Sequence, residues 1–213
     1  MSLARVFTGV TGLGQVIIKR IGDVGGPPAS RVSSELDNII AWAKDSPRRV
    51  GFNFSTVGNV GTGLDTLHTF TLPANSLATN NDELECRFGG FYANNTNAKR
   101  LVFSVDGTQI LNSSLLPMTT FGWWAHLWIA RVSATTVNAE ITLNYGQILV
   151  SATPGLLGTT PGGVIVRHFN GQAVANLTSN AIVILVQGET DPAGTGASND
   201  VNQNFSSFYL TQQ

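Results

Sequence analysis

The residues with the most suggestive chemistry form one short segment, Trp123-Trp124-Ala125-His126-Leu127-Trp128. In an extended strand, successive side chains point to opposite faces, so Trp124, His126 and Trp128 share one face. If solvent reaches that face, its indoles form a flat platform that can stack a sugar ring or contact a protein partner. A large exposed aromatic strip also favours aggregation, so burial in the core or in a subunit interface is the preferred interpretation.

Acidic side chains are candidates for glycan hydrolysis, which needs two positioned carboxylates. No motif pairs any two of them, although two could still meet in space. Most fall in predicted loops or at outward-facing strand positions, where a solvated carboxylate is expected: Asp65, Asp82, Glu83, Glu85, Asp106, Glu140, Glu189, Asp191 and Asp200. We therefore predict no catalytic residues and no enzymatic activity.

The histidines and glycine runs give no metal or cofactor site. His68, His126 and His168 are scattered, and none has a second ligand at a spacing typical of metal sites. The glycine-rich runs at 9–14 and 58–63 lack the strand and following helix that would direct backbone amides at a phosphate. We expect neither a metal nor a cofactor.

Composition narrows the function classes further. Charged residues make up 12% of the 213 residues and the net charge is -1, without the basic stripe that nucleic-acid binding requires. The single cysteine, Cys86, cannot form an intramolecular disulfide and is expected to be a small buried apolar group. No segment approaches the roughly 20 apolar residues of a membrane span, and the N-terminus lacks a signal-peptide pattern. We expect synthesis in the cytoplasm, and release by a route such as cell lysis if the protein ends outside the cell.

Alternating apolar and polar positions predict short strands over most of the chain. The clearest example extends from Val137 to Tyr145, and Leu84, Cys86 and Phe88 form another inward set. Asp106-Gly107 is a strong hairpin signal that pairs the strand ending at Val105 with the residues from Thr108 to Leu111. Further strands are predicted at 52–57, 67–72, 123–132, 147–152, 164–169, 181–187 and 206–210.

This pattern predicts an all-β protein, a jelly-roll-like antiparallel β-sandwich spanning residues 51–213. One strand departs from the alternation, because residues 181–186 are apolar on both faces. Such a strand needs cover on its outer side as well, and a subunit interface is the expected cover.

Residues 1–50 form a separate N-terminal region, with an extended glycine-rich arm followed by one short amphipathic helix at about 31–45. An apolar stripe at helical spacing runs along that helix, and Pro47 ends it. A helix this short needs a partner surface. It packs either on its own sandwich or against other copies of the chain, with these candidate interface residues: Leu36, Ile39, Ile40 and Trp42.

The sequence at 30–40, Ser-Arg-Val-Ser-Ser-Glu-Leu-Asp-Asn-Ile-Ile, resembles a short helix near the N-termini of bacteriophage fibre proteins. The segment at 67–77 is similar to the jelly-roll domain of many phage virion proteins. That second similarity continues through these positions: Asn80, Asp82, Gly89, Ala93, Asn94, Asn97, Lys99 and Leu101. Together the two segments cover roughly residues 30 to 110.

This resemblance implies a virion structural component, usually a homotrimer, with an N-terminal attachment region and an outward-facing β-domain. The chain lacks the long shaft of a tail fibre, which favours a short spike, a head or neck fibre, or a capsid decoration. Attachment to capsid, neck or tail proteins would use the arm, with Val6, Phe7 and Ile17 as candidate anchors. The alternative is a carbohydrate-binding, receptor-recognition module of a phage tail fibre that binds host-surface glycan. A polysaccharide depolymerase ranks last.

Overall fold

The structure is a computed structural model that describes residues 36–39, 46–114, 116–146, 163–190 and 197–213. The chain divides into two units, Met1–Lys44 and Asp45–Gln213. In the first unit, residues 36–39 are helical, and the side chains of Leu36 and Ile39 are half-buried. The other residues named for attachment and for the oligomer interface lie outside the described part of the chain: Val6, Phe7, Ile17, Ile40 and Trp42.

The described part of the second unit forms ten antiparallel strands. Their bounds are β1 Arg48–Asn53, β2 Val57–Gly58, β3 Asp65–Leu72, β4 Glu83–Val105, β5 Thr108–Asn112, β6 Leu116–Ser133, β7 Thr136–Gly146, β8 Gly163–Ala173, β9 Ile182–Thr190 and β10 Val201–Thr211. One sheet has the order β1-β10-β4-β6-β7-β8, with β2 also paired to β10. The second sheet has the order β3-β9-β4-β5.

The long strand β4 belongs to both sheets. Its first half pairs with β10 and β6, and its second half pairs with β9 and β5. The register with β6 shifts between Asn94 and Ala98, where the strand leaves the first sheet for the second. An irregularity of this kind bends the strand and increases its local twist.

The inner faces of the two sheets pack together through aromatic rings. Phe70 of β3 stacks on Phe208 of β10 with ring centroids 3.7 Å apart, and Phe103 lies 5.6 Å from Phe88. Cys86 is buried in the same core, as predicted, and burial raises the pKa of its thiol well above the ordinary value. The predicted all-β class and antiparallel β-sandwich are confirmed.

The predicted hairpin is also confirmed. Val105 pairs with Thr108, and the two turn residues have positive φ, 49° at Asp106 and 78° at Gly107, as a type I′ turn requires. The Asp106 carboxylate accepts a hydrogen bond of 2.6 Å from the amide of Ala175, so the turn also binds a neighbouring loop.

Three of the predicted strands differ from the structure or are left untested by it. The strand predicted at 52–57 is wrong in its bounds, because β1 ends at Asn53 and Val57 begins the short β2. In β9, Val183 is 36% exposed on the outer side and Leu185 is half-buried, and the predicted subunit interface there stays a prediction. The strand predicted at 147–152 lies outside the described residues.

A buried polar cluster stands where β4 changes sheets. The Asp200 carboxylate accepts hydrogen bonds from Asn95 (2.5 Å), Asn97 (2.8 Å) and Thr190 (2.7 Å). The Lys99 ammonium, fully buried, donates to the side-chain oxygen of Asn95 (2.6 Å) and the backbone carbonyl of Asn97 (2.8 Å). Burial raises the pKa of Asp200, but its donors outweigh that effect and hold the pKa below the ordinary value. The bend in β4 is therefore held by a satisfied polar network.

Candidate functional site

Strand β6 separates the aromatic segment into two faces, as the alternation predicts. Trp123 is buried and donates a 3.0 Å hydrogen bond from its indole to the carbonyl of Asn202. On the opposite face, Trp124 is 51% exposed, and His126 and Trp128 are half-buried. Within the single chain, the three candidate binding residues therefore line the outer surface of the six-stranded sheet. We call this surface the β6 outer face.

Strand pairing places other side chains beside these three in rows that cross the sheet. The first row crosses β10, β4, β6, β7 and β8 as Phe205, Gly89, Trp124, Asn144 and Val164. The second row contains Ser207, Arg87, His126, Thr142 and Val166. The third contains Tyr209, Glu85, Trp128, Glu140 and His168. Each row lies about 7 Å from the next along the strands, because two residues separate them.

Phe205 is an aromatic residue of this face that sequence reasoning missed. In an unbroken strand, Val201, Gln203 and Phe205 would share one face. The register of β10 against β4 shifts between Gln203 and Phe205, and this bulge moves Phe205 to the outer face. Extending the predicted strand at 206–210 back by one residue would have placed Phe205 outward.

Gly89 allows the Phe205 ring to lie flat across β4. A Cβ added at Gly89 would stand 2.1 Å from Cε1 of Phe205, so a side chain there would displace the ring. Since Gly89 pairs with Trp124, the two aromatic residues flank one glycine. The result is an aromatic surface that extends from β10 to β6.

Two depressions adjoin this aromatic surface. The first has a volume of about 650 Å³, and its lining includes Trp124, Phe205, Asn144 and Val164. The second, of about 570 Å³, is lined by Trp124 and Phe205 together with Arg87, His126 and Ser207. Since both depressions share Trp124 and Phe205, the two rings form the ridge between them.

An unsatisfied amide also lines the first depression. The side-chain oxygen of Asn204, the bulge residue, is shielded from water and has no hydrogen-bond partner within the described ranges. Leaving a buried acceptor unpaired costs about 1–3 kcal/mol. A water or ligand donor at this position would offset that cost.

Charged groups of the second depression hold one another in fixed positions. Arg87 donates from Nε to Oε1 of Glu85 at 2.6 Å, and its guanidinium lies over the Tyr209 ring, 5.2 Å from the centroid. The imidazole Nε2 of His126 lies 2.9 Å from the same Glu85 oxygen. Partial burial raises the pKa of Glu85, but Arg87 and His126 lower it more, so the carboxylate titrates below its ordinary range. Arg87 is thus oriented before any ligand arrives.

The carboxylates Glu85 and Glu140 stand on either side of Trp128. Two inter-strand spacings, about 10 Å, separate their backbones. Each carboxylate lies against a histidine. Glu85 is beside His126, as described above, and Oε2 of Glu140 is 3.1 Å from Nδ1 of His168. The face therefore carries two separate acid–histidine pairs.

Several other acidic residues are buried, which corrects the expectation that they are solvated. Asp82 accepts from the amide and hydroxyl of Thr79, at 2.8 and 2.7 Å, and Glu189 forms an ion pair with Arg100. Asp82, Glu189 and Asp200 are all at most 4% exposed. Their hydrogen bonds and ion pairs assign them to the fold and not to the β6 outer face.

His68 belongs to the core and not to this face. Its ring stacks on Phe208 with centroids 5.6 Å apart, and burial lowers its pKa. Across the part of the chain that the structure describes, no group of three or more His, Cys, Asp or Glu side chains could hold a metal ion. Among the same residues, no helix is long and apolar enough to cross a membrane.

Known proteins offer a distant structural likeness but no match in sequence. No protein-family model matches the chain, and no curated protein matches it. Among solved structures, the chain is similar to the CBM2 module of the evolved Dit of Lactobacillus casei BL23 phage J-1. The TM-score is 0.36 and the sequence identity 12%, over 80% of this chain and 99% of that module. A likeness at this TM-score carries no argument about function.

Proposed function

We propose that this protein is a non-enzymatic structural protein of a bacteriophage particle, a short fibre, spike or head or neck decoration. Its N-terminal region attaches to the particle, and its β-sandwich projects outward. Support comes from the sequence, where residues 30–40, and residues 67–77 with further positions up to Leu101, resemble phage virion proteins. The low charged content of 12% suits a protein that packs against copies of itself.

The β6 outer face is the surface with which such a protein would bind a glycan on the host. The observation that carries this proposal is the exposure of Trp124, 51% in the centre of a six-stranded sheet, beside the Phe205 ring. The apolar face of a sugar ring stacks on an indole, while its hydroxyls bond to polar groups around it. Arg87 and Asn144 supply such groups next to Trp124.

A glycan array tests this proposal with three proteins. We expect the unaltered chain to bind host-surface glycan, Trp124→Ala to lose binding, and Phe54→Ala to keep it. Phe54 is a matched control, because it is 68% exposed and lines neither depression. Equal retention of the unaltered chain and Trp124→Ala, or no retention of either, would refute glycan binding at this face.

A second candidate is that the same face docks on another virion protein. Exposed apolar side chains at Val164 and Val166 extend the face to the edge strand β8, and protein partners cover such surfaces. In that case Trp124→Ala would reduce incorporation into particles, and the glycan array would show nothing.

The proposed attachment and assembly are tested separately from glycan binding. Deleting residues 1–30 should leave a folded protein that no longer joins particles, and normal incorporation would contradict the attachment role. We propose a homotrimer that associates through Leu36, Ile39, Ile40 and Trp42. A mass measurement in solution should give three copies, and Leu36→Ser with Ile39→Ser should reduce that mass.

A further inference from the structure

The two exposed rings of the first row are spaced for more than one sugar. Phe205 on β10 and Trp124 on β6 are separated by one strand, β4, where Gly89 faces both. Their backbones are two inter-strand spacings, about 10 Å, apart, and the Phe205 ring covers Gly89 between them, so the two rings lie side by side across the sheet. A single sugar ring covers one aromatic side chain, so a ligand that contacts both rings must extend across the strands.

As far as the described residues show, the surroundings of the rings are open to a long ligand. Depressions lie on both sides of the ridge formed by Trp124 and Phe205. The first continues toward Asn144 and Val164, and the second toward Arg87. A chain that crosses the strands over Phe205 and Trp124 can therefore continue past Trp124 toward Asn144 and Val164, whereas a pocket for a terminal sugar would enclose its ligand.

The charges of this face cancel. Two carboxylates, Glu85 and Glu140, stand against two guanidinium groups, Arg49 and Arg87. The Nε of Arg87 is already bonded to Glu85, and its terminal nitrogens have no hydrogen-bond partner among the described residues. These nitrogens can donate to hydroxyl oxygens, while the paired charge gives little net attraction for an anionic polymer.

We propose that the ligand of this face is an uncharged, linear polysaccharide, bound along its interior and across strands β10, β4 and β6. One sugar unit stacks on Phe205 and another on Trp124, and Arg87 donates hydrogen bonds to hydroxyls of the chain. This inference rests on the proposed glycan binding and specifies the class of glycan. The proposal excludes three other ligands: a terminal sugar, the end of a branched glycan and an acidic polymer.

Calorimetric titration of the full chain with oligosaccharides of increasing length tests the inference. The probes are cello-, malto-, laminari- and chito-oligosaccharides of one to six units, with oligogalacturonate as the acidic probe, alongside an array of branched glycans. For at least one neutral series, affinity should rise about tenfold between one unit and four, the gain expected from a second stacking contact. Oligogalacturonate should bind more weakly than the neutral series of equal length.

Variants separate the two stacking positions. Phe205→Ala should remove the gain with length, Phe205→Tyr should restore it, and Trp124→Ala should abolish binding at every length. Phe54→Ala should leave the affinities unchanged. A circular dichroism spectrum that matches the unaltered chain shows that Phe205→Ala is folded.

The outcomes distinguish this inference from the proposed function. Trp124-dependent binding that does not change with length, or that is restricted to branched or acidic glycans, overturns the linear neutral ligand and leaves glycan binding intact. A length dependence that survives in Phe205→Ala overturns the role of that ring. The absence of Trp124-dependent binding to any glycan overturns both.

Discussion

At the scale of single residues, the aromatic surface of the β6 outer face depends on the glycine beneath the Phe205 ring. Trp124 and Phe205 supply the contact area, and Gly89 supplies the space in which the Phe205 ring lies. A glycine in a strand interior weakens the strand and often marks a close approach of another group. Here that group is the ring that completes the aromatic surface.

Gly89→Ala tests this dependence. The new Cβ would stand 2.1 Å from Cε1 of Phe205, and we expect the half-exposed ring to swing away. Glycan affinity should then fall about tenfold, while the free energy of unfolding changes by about 1–2 kcal/mol. Calorimetric titration with the ligand measures the affinity, and chemical denaturation measures the free energy of unfolding. Phe205→Ala, which removes the ring itself, is the variant against which the loss of affinity is compared. Full affinity in Gly89→Ala would show that the ring position does not matter.

At the scale of elements, two features build the second sheet. The bend in β4 carries that strand into the sheet, and the hairpin at 105–108 adds β5 to it. Local chemistry determines the hairpin, since Asp106 and Gly107 adopt the positive φ that its turn needs. The bend depends on residues distant in sequence, because Asp200 bonds to Asn95 and Asn97. Each can be tested by one substitution.

Gly107→Ala should destabilise the protein by about 1 kcal/mol. No atom lies within 4 Å of the added Cβ, so the loss reports only the backbone conformation at φ 78°. Gly107→Asn is the control, because asparagine tolerates positive φ. Chemical denaturation provides the measurement, and equal stability of Gly107→Ala and the unaltered chain would contradict the turn assignment.

Asp200→Asn should reduce the free energy of unfolding at pH 7 by about 3 kcal/mol, because a charged acceptor is replaced by an amide that also brings a donor. The lowered pKa of Asp200 gives the pH dependence. Above the ordinary value of 3.8 the carboxylate is ionised in both states and stabilises the fold. As the pH falls below that value, the unfolded chain takes up a proton that the folded chain resists, and the stabilisation is lost.

Denaturation curves from about pH 6 to about pH 3 should therefore converge for Asp200→Asn and the unaltered chain. Thr178→Ala is a suitable control, since Thr178 is exposed and lies outside the polar cluster. Curves that remain parallel throughout would contradict the assignment of the lowered pKa to folding.

At the scale of the whole molecule, the sandwich has its own core. The buried apolar cluster lies within the second unit, Asp45–Gln213. We expect a fragment of residues 46–213 to fold alone, with a β-type circular dichroism spectrum and a cooperative thermal transition. It should also retain the glycan affinity of the full chain. A fragment that is unfolded or aggregated would show that residues 1–45 are needed for the fold.

Local patterns were sufficient for much of this architecture. Alternation predicted most strands, the inward position of Cys86 and the opposite faces of Trp123 and Trp124, because side-chain direction in a strand depends only on parity. The hairpin followed equally from Asp106-Gly107, since the turn needs residues that tolerate positive φ.

Long-range pairing decided the rest. Phe205 and Trp124 line the same depressions only because β10 and β6 both pair with β4, and a bulge near Asn204 determines which residues of β10 face outward. Burial of Asp82, Glu189 and Asp200 likewise depends on donors supplied by distant or irregular segments. Register and bulges arise from the packing of the whole core, so parity within one segment cannot reveal which side chains become neighbours.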